Sequence, residues 1–289
     1  MNFYKPKLWI EKSLGSRIAL GISRVMGRVA DIPMPGSVMK PVVRLYSMGM
    51  GVDTDEAPPP EDASFPFNRF FGRHIDPAAR PIDPVANALV CPSDGQIVAM
   101  GRVENKDTAF TIKDSRYTLQ SLLGDEAPMK DYLSGQYAVI YLHPRDYHRV
   151  HVPYDMNLTY TRHIPGSRFP VTAWCEKFVD NIYDKNERMV FGFDLPSGGS
   201  LAVVMVAAFG VGNIETRFDP GIDKRTAVSR ERSFEPTVAL RKGEDLGAFL
   251  LGSTVVLIGS NGVLELDERL EWGPIKMGQK IGKVLDSNK

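Results

Sequence analysis

The chain has 289 residues, 43 % of them hydrophobic and 24 % charged, enough to bury a substantial core in one large domain or two small ones. Its 35 basic and 35 acidic side chains cancel, which argues against nucleic acid as the main partner. No apolar stretch approaches the roughly 18 residues of a spanning helix, and the basic start Met-Asn-Phe-Tyr-Lys-Pro-Lys is not followed by the pattern of a signal peptide.

The neutral total hides a local asymmetry. Residues 1–51 hold only Glu11 and Asp31 as acids against Lys5, Lys7, Lys12, Arg17, Arg24, Arg28, Lys40 and Arg44. From Ile10, the positions Leu14, Ile18, Gly21, Ile22, Val25 and Val29 fall within one arc at 100° per residue, which predicts an amphipathic helix. Arg17, Arg24 and Arg28 line one edge of that arc, where their stems can cover apolar surface and keep the charge in water. Such a helix packs on its own protein or lies in a membrane surface, where each basic residue adds about 1 kcal/mol at an anionic bilayer.

Residues 53–60 (DTDEAPPP) read as a linker, since clustered acids and consecutive prolines favour neither helix nor sheet. It divides a helical region, 1–60, from a body, 61–289. In the body, β-prone runs alternate with turn signals at 96–100, 109–112, 137–142, 158–161, 189–193, 201–209 and 254–258, with one short helix predicted at 119–123. The expected fold is α+β, with N-terminal amphipathic helices leading into a β-rich catalytic body.

Three places in the body carry candidate chemistry. Cys91-Pro92-Ser93-Asp94-Gly95 is a tight turn before a strand, and Asp94 there can orient an imidazole. His148 and His151 occur together in Pro144-Arg145-Asp146-Tyr147-His148-Arg149-Val150-His151. No third ligand stands at metal spacing from them, so no metal is expected. The two cysteines, Cys91 and Cys175, also lack ligand spacing. Finally, Leu251-Gly252-Ser253-Thr254 precedes the apolar run 255–258. A serine hydroxyl beside the carbonyl of an unshielded glycine is placed to attack it. Asp94, His151 and Ser253 together have the composition of an acid–base–nucleophile set.

With Phe67-Asn68-Arg69-Phe70-Phe71, Ile164-Pro165-Gly166, Asn186-Glu187-Arg188, Val211-Gly212-Asn213-Ile214-Glu215 and 242–247 (KGEDLG) in this order, the chain resembles the phosphatidylserine decarboxylase proenzyme family, in its bacterial Leu-Gly-Ser-Thr form. The resemblance implies a maturation triad of Asp94, His151 and Ser253. In it His151 takes the Ser253 proton, and the serine oxygen attacks the Gly252 carbonyl to give an ester. β-Elimination then splits the chain, leaving dehydroalanine that loses ammonia. Ser253 would end as a covalent pyruvoyl group, a form of bound pyruvate, at the head of an α chain (253–289), with 1–252 as the β chain.

The same resemblance implies decarboxylation of phosphatidylserine to phosphatidylethanolamine, with the ketone as electron sink in place of pyridoxal phosphate and His148 as proton donor. It further implies associated fragments, a homodimer of them, and peripheral attachment to anionic membrane at the cytoplasmic face of the inner membrane. His163 and the bases near it are candidates for the lipid phosphate. Two other readings use the same residues. One is a serine hydrolase that does not cut itself, although the Gly-x-Ser-x-Gly elbow is missing. The other is a non-catalytic membrane-binding β module in which Ser253 is structural.

Overall fold

A computed structural model describes residues 25, 27–104, 110–112, 115–124, 129–167, 182–208, 214–219, 228–250 and 253–285. The fold is α+β, and strands dominate it. Its centre is an eight-stranded antiparallel sheet. In spatial order the strands are β13 (Arg230–Leu240), β9 (Met156–Ile164), β10 (Arg188–Asp194), β11 (Ser200–Ala207), β15 (Ser253–Gly259), β7 (Gln136–Leu142), β4 (Gly95–Arg102) and β17 (Pro274–Ile275). One three-stranded sheet is β12 (Ile214–Glu215), β14 (Asp245–Phe249) and β8 (Arg149–His151). A second is β16 (Leu264–Leu266), β18 (Lys280–Val284) and β3 (Ala88–Val90). Two ribbons complete the strands, β1 (Met34–Pro35) with β2 (Ser64–Phe65) and β5 (Phe110–Ile112) with β6 (Ser115–Tyr117). Wholly described helices are α1 (Gly36–Met50), α2 (Phe67–Phe71), α3 (Leu119–Leu123), α4 (Met129–Tyr132) and α5 (Ile182–Lys185).

Continuous apolar runs without alternation suit strands covered on both faces. β15 is such a strand, and every residue of it is buried. It pairs with β11 from Ala207 opposite Ser253 to Leu201 opposite Gly259, and with β7 from Leu142 to Gln136. Because neighbours are antiparallel, the starts of β4 and β15 lie at the same end of the sheet as the finishes of β7 and β11. Three segments that carry candidate chemistry therefore meet there.

The predicted helix from Ile10 falls mostly outside the described residues; of its length Val25 and 27–30 are described, and they are helical. α1 follows it. Met39, Val43 and Ser47 face inward, while Val38, Val42, Leu45 and Met48 face out, Leu45 at 73 % and Met48 at 82 % exposure. The Tyr46 hydroxyl donates to the Pro144 carbonyl at 2.8 Å, and its ring meets Phe67 edge-on at 5.2 Å. Gly51 ends the helix in the left-handed conformation at φ 75°, returning its N–H to the Ser47 carbonyl. Residues 53–60 contain no helix or strand, yet they pack on the body: Ala57 is buried, and Glu56 pairs with Arg80 at 2.7 Å.

Candidate active site

Gly95 opens β4 so close to β7 that a Cβ there would collide with the Tyr141 carbonyl. This holds the Ser93-Asp94 turn against the end of β7. From Leu142 the chain continues through His143 and Asp146 to His148 and then β8. There the His151 N–H donates to the Pro92 carbonyl at 2.8 Å, tying β8 to the same turn. Phe249 N–H donates to the His148 carbonyl at 2.9 Å, so β14 passes alongside just before the chain reaches Ser253. β4 and β15 flank β7, which sets their starts about 10 Å apart at ordinary strand spacing.

Ser253 is wholly buried, and its Oγ has no hydrogen-bond partner among the described residues. Gly252 lies outside the described residues. Burying a hydroxyl unpaired costs about 1–3 kcal/mol, so this atom is held where folding alone would not put it.

His148 is also wholly buried, with its ring 4.2 Å from that of Phe71. The Phe67–Phe71 motif thus serves a mechanical purpose, since α2 supplies the wall against which His148 stands. His148 Nδ1 lies 2.8 Å from the Asp146 carbonyl. A carbonyl only accepts, so Nδ1 carries the hydrogen and Nε2 the lone pair. That Nε2 is buried and unpartnered. Burial drives the pKa down from 6.5 to about 3, helped by the nearby positive charge of Arg73, and the imidazole is neutral at pH 7.

His151 has the same tautomer for the same reason, with a different carbonyl. Its Nδ1–H donates to the Gly243 carbonyl at 2.9 Å, leaving Nε2 to accept from the Tyr147 hydroxyl at 3.0 Å. Burial lowers its pKa as well. Tyr147 is pushed up by burial, so it stays a phenol able to donate.

Asp94 makes no hydrogen bond to His151. Its Oδ1 accepts from Arg80 Nε at 2.8 Å and from Met277 N–H at 2.9 Å, and its Oδ2 accepts from Arg80 Nη2 at 2.6 Å. Burial opposes the Arg80 charge, but hydrogen bonds to Asp94 and Glu56 outweigh it and raise its pKa. The structure therefore gathers Asp94, His148, His151 and Ser253 at one end of one sheet. It hydrogen-bonds none of them to another among the described residues. The group that orients His151 is a backbone carbonyl, which has no signature in a sequence. Tyr147 and Arg80 are the side chains that sequence reasoning did not assign; Tyr147 stood in the histidine motif, while Arg80 had no local signal. His163 is engaged elsewhere, its Nε2 2.9 Å from Glu187.

Two cavities open beside this cluster. One, of about 760 Å³, is lined by Asp94, Tyr147, Arg73, Arg80 and Lys276 among others. The other, of about 610 Å³, includes Arg73, His74, Arg149 and Leu250, and so approaches the segment before Ser253. Among the described residues no group of three His, Cys, Asp or Glu is arranged to hold a metal ion.

Residues 67–283 match the sequence profile described as phosphatidylserine decarboxylase, and the chain is thereby an enzyme of the carboxy-lyase class. Relatives named phosphatidylserine decarboxylase proenzyme occur in Alcanivorax borkumensis (35 % identical, covering 93 % of each chain) and Acidovorax ebreus (37 %, covering 88 % of this chain and 90 % of the other). Another, from Azotobacter vinelandii, is 36 % identical over 91 % of this chain and 93 % of its own. The chain belongs to the phosphatidylserine decarboxylase family.

Proposed function

We propose that this chain decarboxylates phosphatidylserine to phosphatidylethanolamine and carbon dioxide, after cutting itself between Gly252 and Ser253. The observation that carries the reading is the Ser253 hydroxyl, buried and unpaired at the head of a central strand, in a chain of this family. The site also fits what Ser253 would become. A pyruvoyl group supplies a ketone that draws electrons from an amine-bearing substrate as carbon dioxide leaves. It needs a dry position with no competing donor, and the start of β15 offers one.

In the maturation step His151 is the general base for the Ser253 hydroxyl, a contribution of about 10²–10⁴-fold. Its lone-pair nitrogen is held by Tyr147 and must turn from that phenol to the serine, or receive the proton through it. Asp94 supports this from the Arg80 and Met277 contacts that fix the turn, while Gly243 holds the tautomer. In the decarboxylation step His148 acts through Nε2. As a neutral imidazole, it can accept the proton a substrate ammonium must lose. It then returns that proton to the carbon from which carbon dioxide has departed.

The outward apolar row of α1 supports the reading of residues 1–60 as a peripheral membrane contact at the inner membrane's cytoplasmic face. Deleting residues 1–51 should abolish co-sedimentation with anionic vesicles; full retention would put the contact elsewhere. The two fragments stay together through β15, and the assembly is a dimer of such pairs, to be checked by light scattering. The deciding measurement is the intact mass of purified enzyme. Two fragments are expected, the smaller starting at position 253 without a free amine, and Ser253→Ala should give one uncut, inactive chain. Active protein consisting of a single full-length species would overturn the reading.

A further inference from the structure

Among the described residues, the arginines and lysines that line the two cavities each face a carboxylate, with one exception. Arg80 lies 2.6 Å from Asp94, and even the exposed Arg145 is 3.9 Å from Asp146. Arg73 has no carboxylate within ion-pair distance among the described residues. Its Nη1 and Nη2 reach the carbonyls of Phe70 and Arg145 at 3.5 Å each, the outer limit of a hydrogen bond, and its Nε is buried without a partner. The guanidinium lies 5.0 Å over the Phe70 ring. Burial lowers its pKa, yet an arginine remains charged at any working pH. A partly desolvated cation without an anion is unfavourable in a resting protein. Among the described residues Arg73 is also the one arginine that lines both cavities, standing in the wall between them.

We infer that Arg73 binds the phosphodiester of the lipid headgroup. This rests on the proposed decarboxylation of phosphatidylserine, whose headgroup offers two anions, a carboxylate and a phosphodiester. Reaction chemistry separates them. A guanidinium paired with the carboxylate would stabilise the charge that must disappear when neutral carbon dioxide forms, and would oppose the reaction. The phosphodiester keeps its charge throughout, so binding it holds substrate and product alike. Depth agrees with this choice. His148 is wholly buried whereas Arg73 is only partly so, and the serine end of the headgroup must go deeper than its phosphate. The free Nε with an adjacent Nη forms the planar fork that suits two oxygens of one phosphate.

The test compares wild type, Arg73→Gln and Arg73→Lys, each first shown by mass to be processed. Phosphatidylserine is presented in phosphatidylcholine vesicles. Arg73→Gln should raise KM about 10- to 100-fold, the range for charge-assisted hydrogen bonds, and leave kcat within about threefold. Arg73→Lys, which keeps the charge but loses the fork, should fall between. Glycerophosphoethanolamine, a soluble probe that carries the phosphodiester but no acyl chains, separates the headgroup contact from general attraction to an anionic surface. It should inhibit wild type and lose that inhibition by a similar factor in Arg73→Gln, whereas ethanolamine should affect both alike. Unchanged KM and unchanged inhibition would overturn the assignment. So would a fall in kcat alone, or failure of both variants to mature. A wild type that neither matures nor decarboxylates would instead sink the proposed function.

Discussion

The middle of the eight-stranded sheet and its end at Ser253 are made from the same strands and obey opposite rules. In the middle, positions 255–258 of β15 and 203–206 of β11 are apolar, wholly buried and paired along both edges. At the end, Ser93 Oγ, His148 Nε2, Ser253 Oγ and Thr254 Oγ1 are buried with no hydrogen-bond partner among the described residues. Each unpaired atom costs about 1–3 kcal/mol, while each fully buried aliphatic side chain returns about 1.5–3 kcal/mol. One strand thus carries the proposed reactive residue on a foundation stable enough to tolerate it. Polar groups left unsatisfied in a fold that satisfies most others mark where chemistry is done.

That contrast can be broken from either side. The largest effect belongs to the reactive end. His148→Ala should still cleave, by mass, while decarboxylation falls about 10²–10⁴-fold, the usual share of a positioned acid or base. If the variant stays uncut, His148 belongs to maturation, and its free Nε2 rather than that of His151 serves the serine.

In the middle, the damage should appear as stability and not as chemistry. Leu257→Ala in an uncleaved Ser253→Ala background should lose about 2–5 kcal/mol, read from the urea midpoint, and the same change in wild type should leave cleavage intact. A stability loss below about 1 kcal/mol, under the usual range for such a truncation, would mean that this strand is not the foundation it looks to be.

The smallest effect is titration. His148 has an ordinary value of 6.5 and a folded value of about 3. Between the two, the unfolded chain binds a proton that the folded chain refuses, so stability is complete above 6.5 and declines as pH falls below it. From pH 7 to pH 5 this one group should remove about 2 kcal/mol from the Ser253→Ala precursor. Ser253→Ala/His148→Gln should be less sensitive to acid by about that amount. Equal acid sensitivity of the two would show that His148 is not held neutral by burial.

How much was legible follows the same divide. The middle strands declare themselves as uninterrupted apolar runs, and α3 sits at 119–123 where a short helix is expected. β13 did not show itself, because its residues are mostly exposed and begin with the charged run Arg230, Glu231, Arg232 rather than an apolar one. α1 falls inside the helical region 1–60, but its bounds were not legible: it has no side-chain N-cap and contains Pro41, so packing of Met39 and Val43 sustains it more than local propensity. At the site, residue types were legible and partnerships were not. Asp94, His148, His151 and Ser253 all reach one end of the sheet. But the expected Asp94–His151 contact is replaced by Arg80 on one side and the Gly243 carbonyl on the other. Such choices are made in three dimensions between groups far apart in the chain. Arg73 stood out only once every other cation near the cavities had been matched to an acid.

The proposed cut before Ser253 would have a consequence for how long the enzyme lasts. The piece from 253 onward supplies β15 to the interior of the large sheet, β17 to its edge, and β16 and β18 to a smaller sheet closed by β3. A continuous chain can assemble this weave, because the tether keeps its late strands close while the sheets form. Severed pieces would have to find each other again from solution. A protein processed as proposed would have a single assembly in its history, and its endurance would be governed by the barrier to unzipping. Warmed, it should age by a clock, while its uncut precursor melts and recovers.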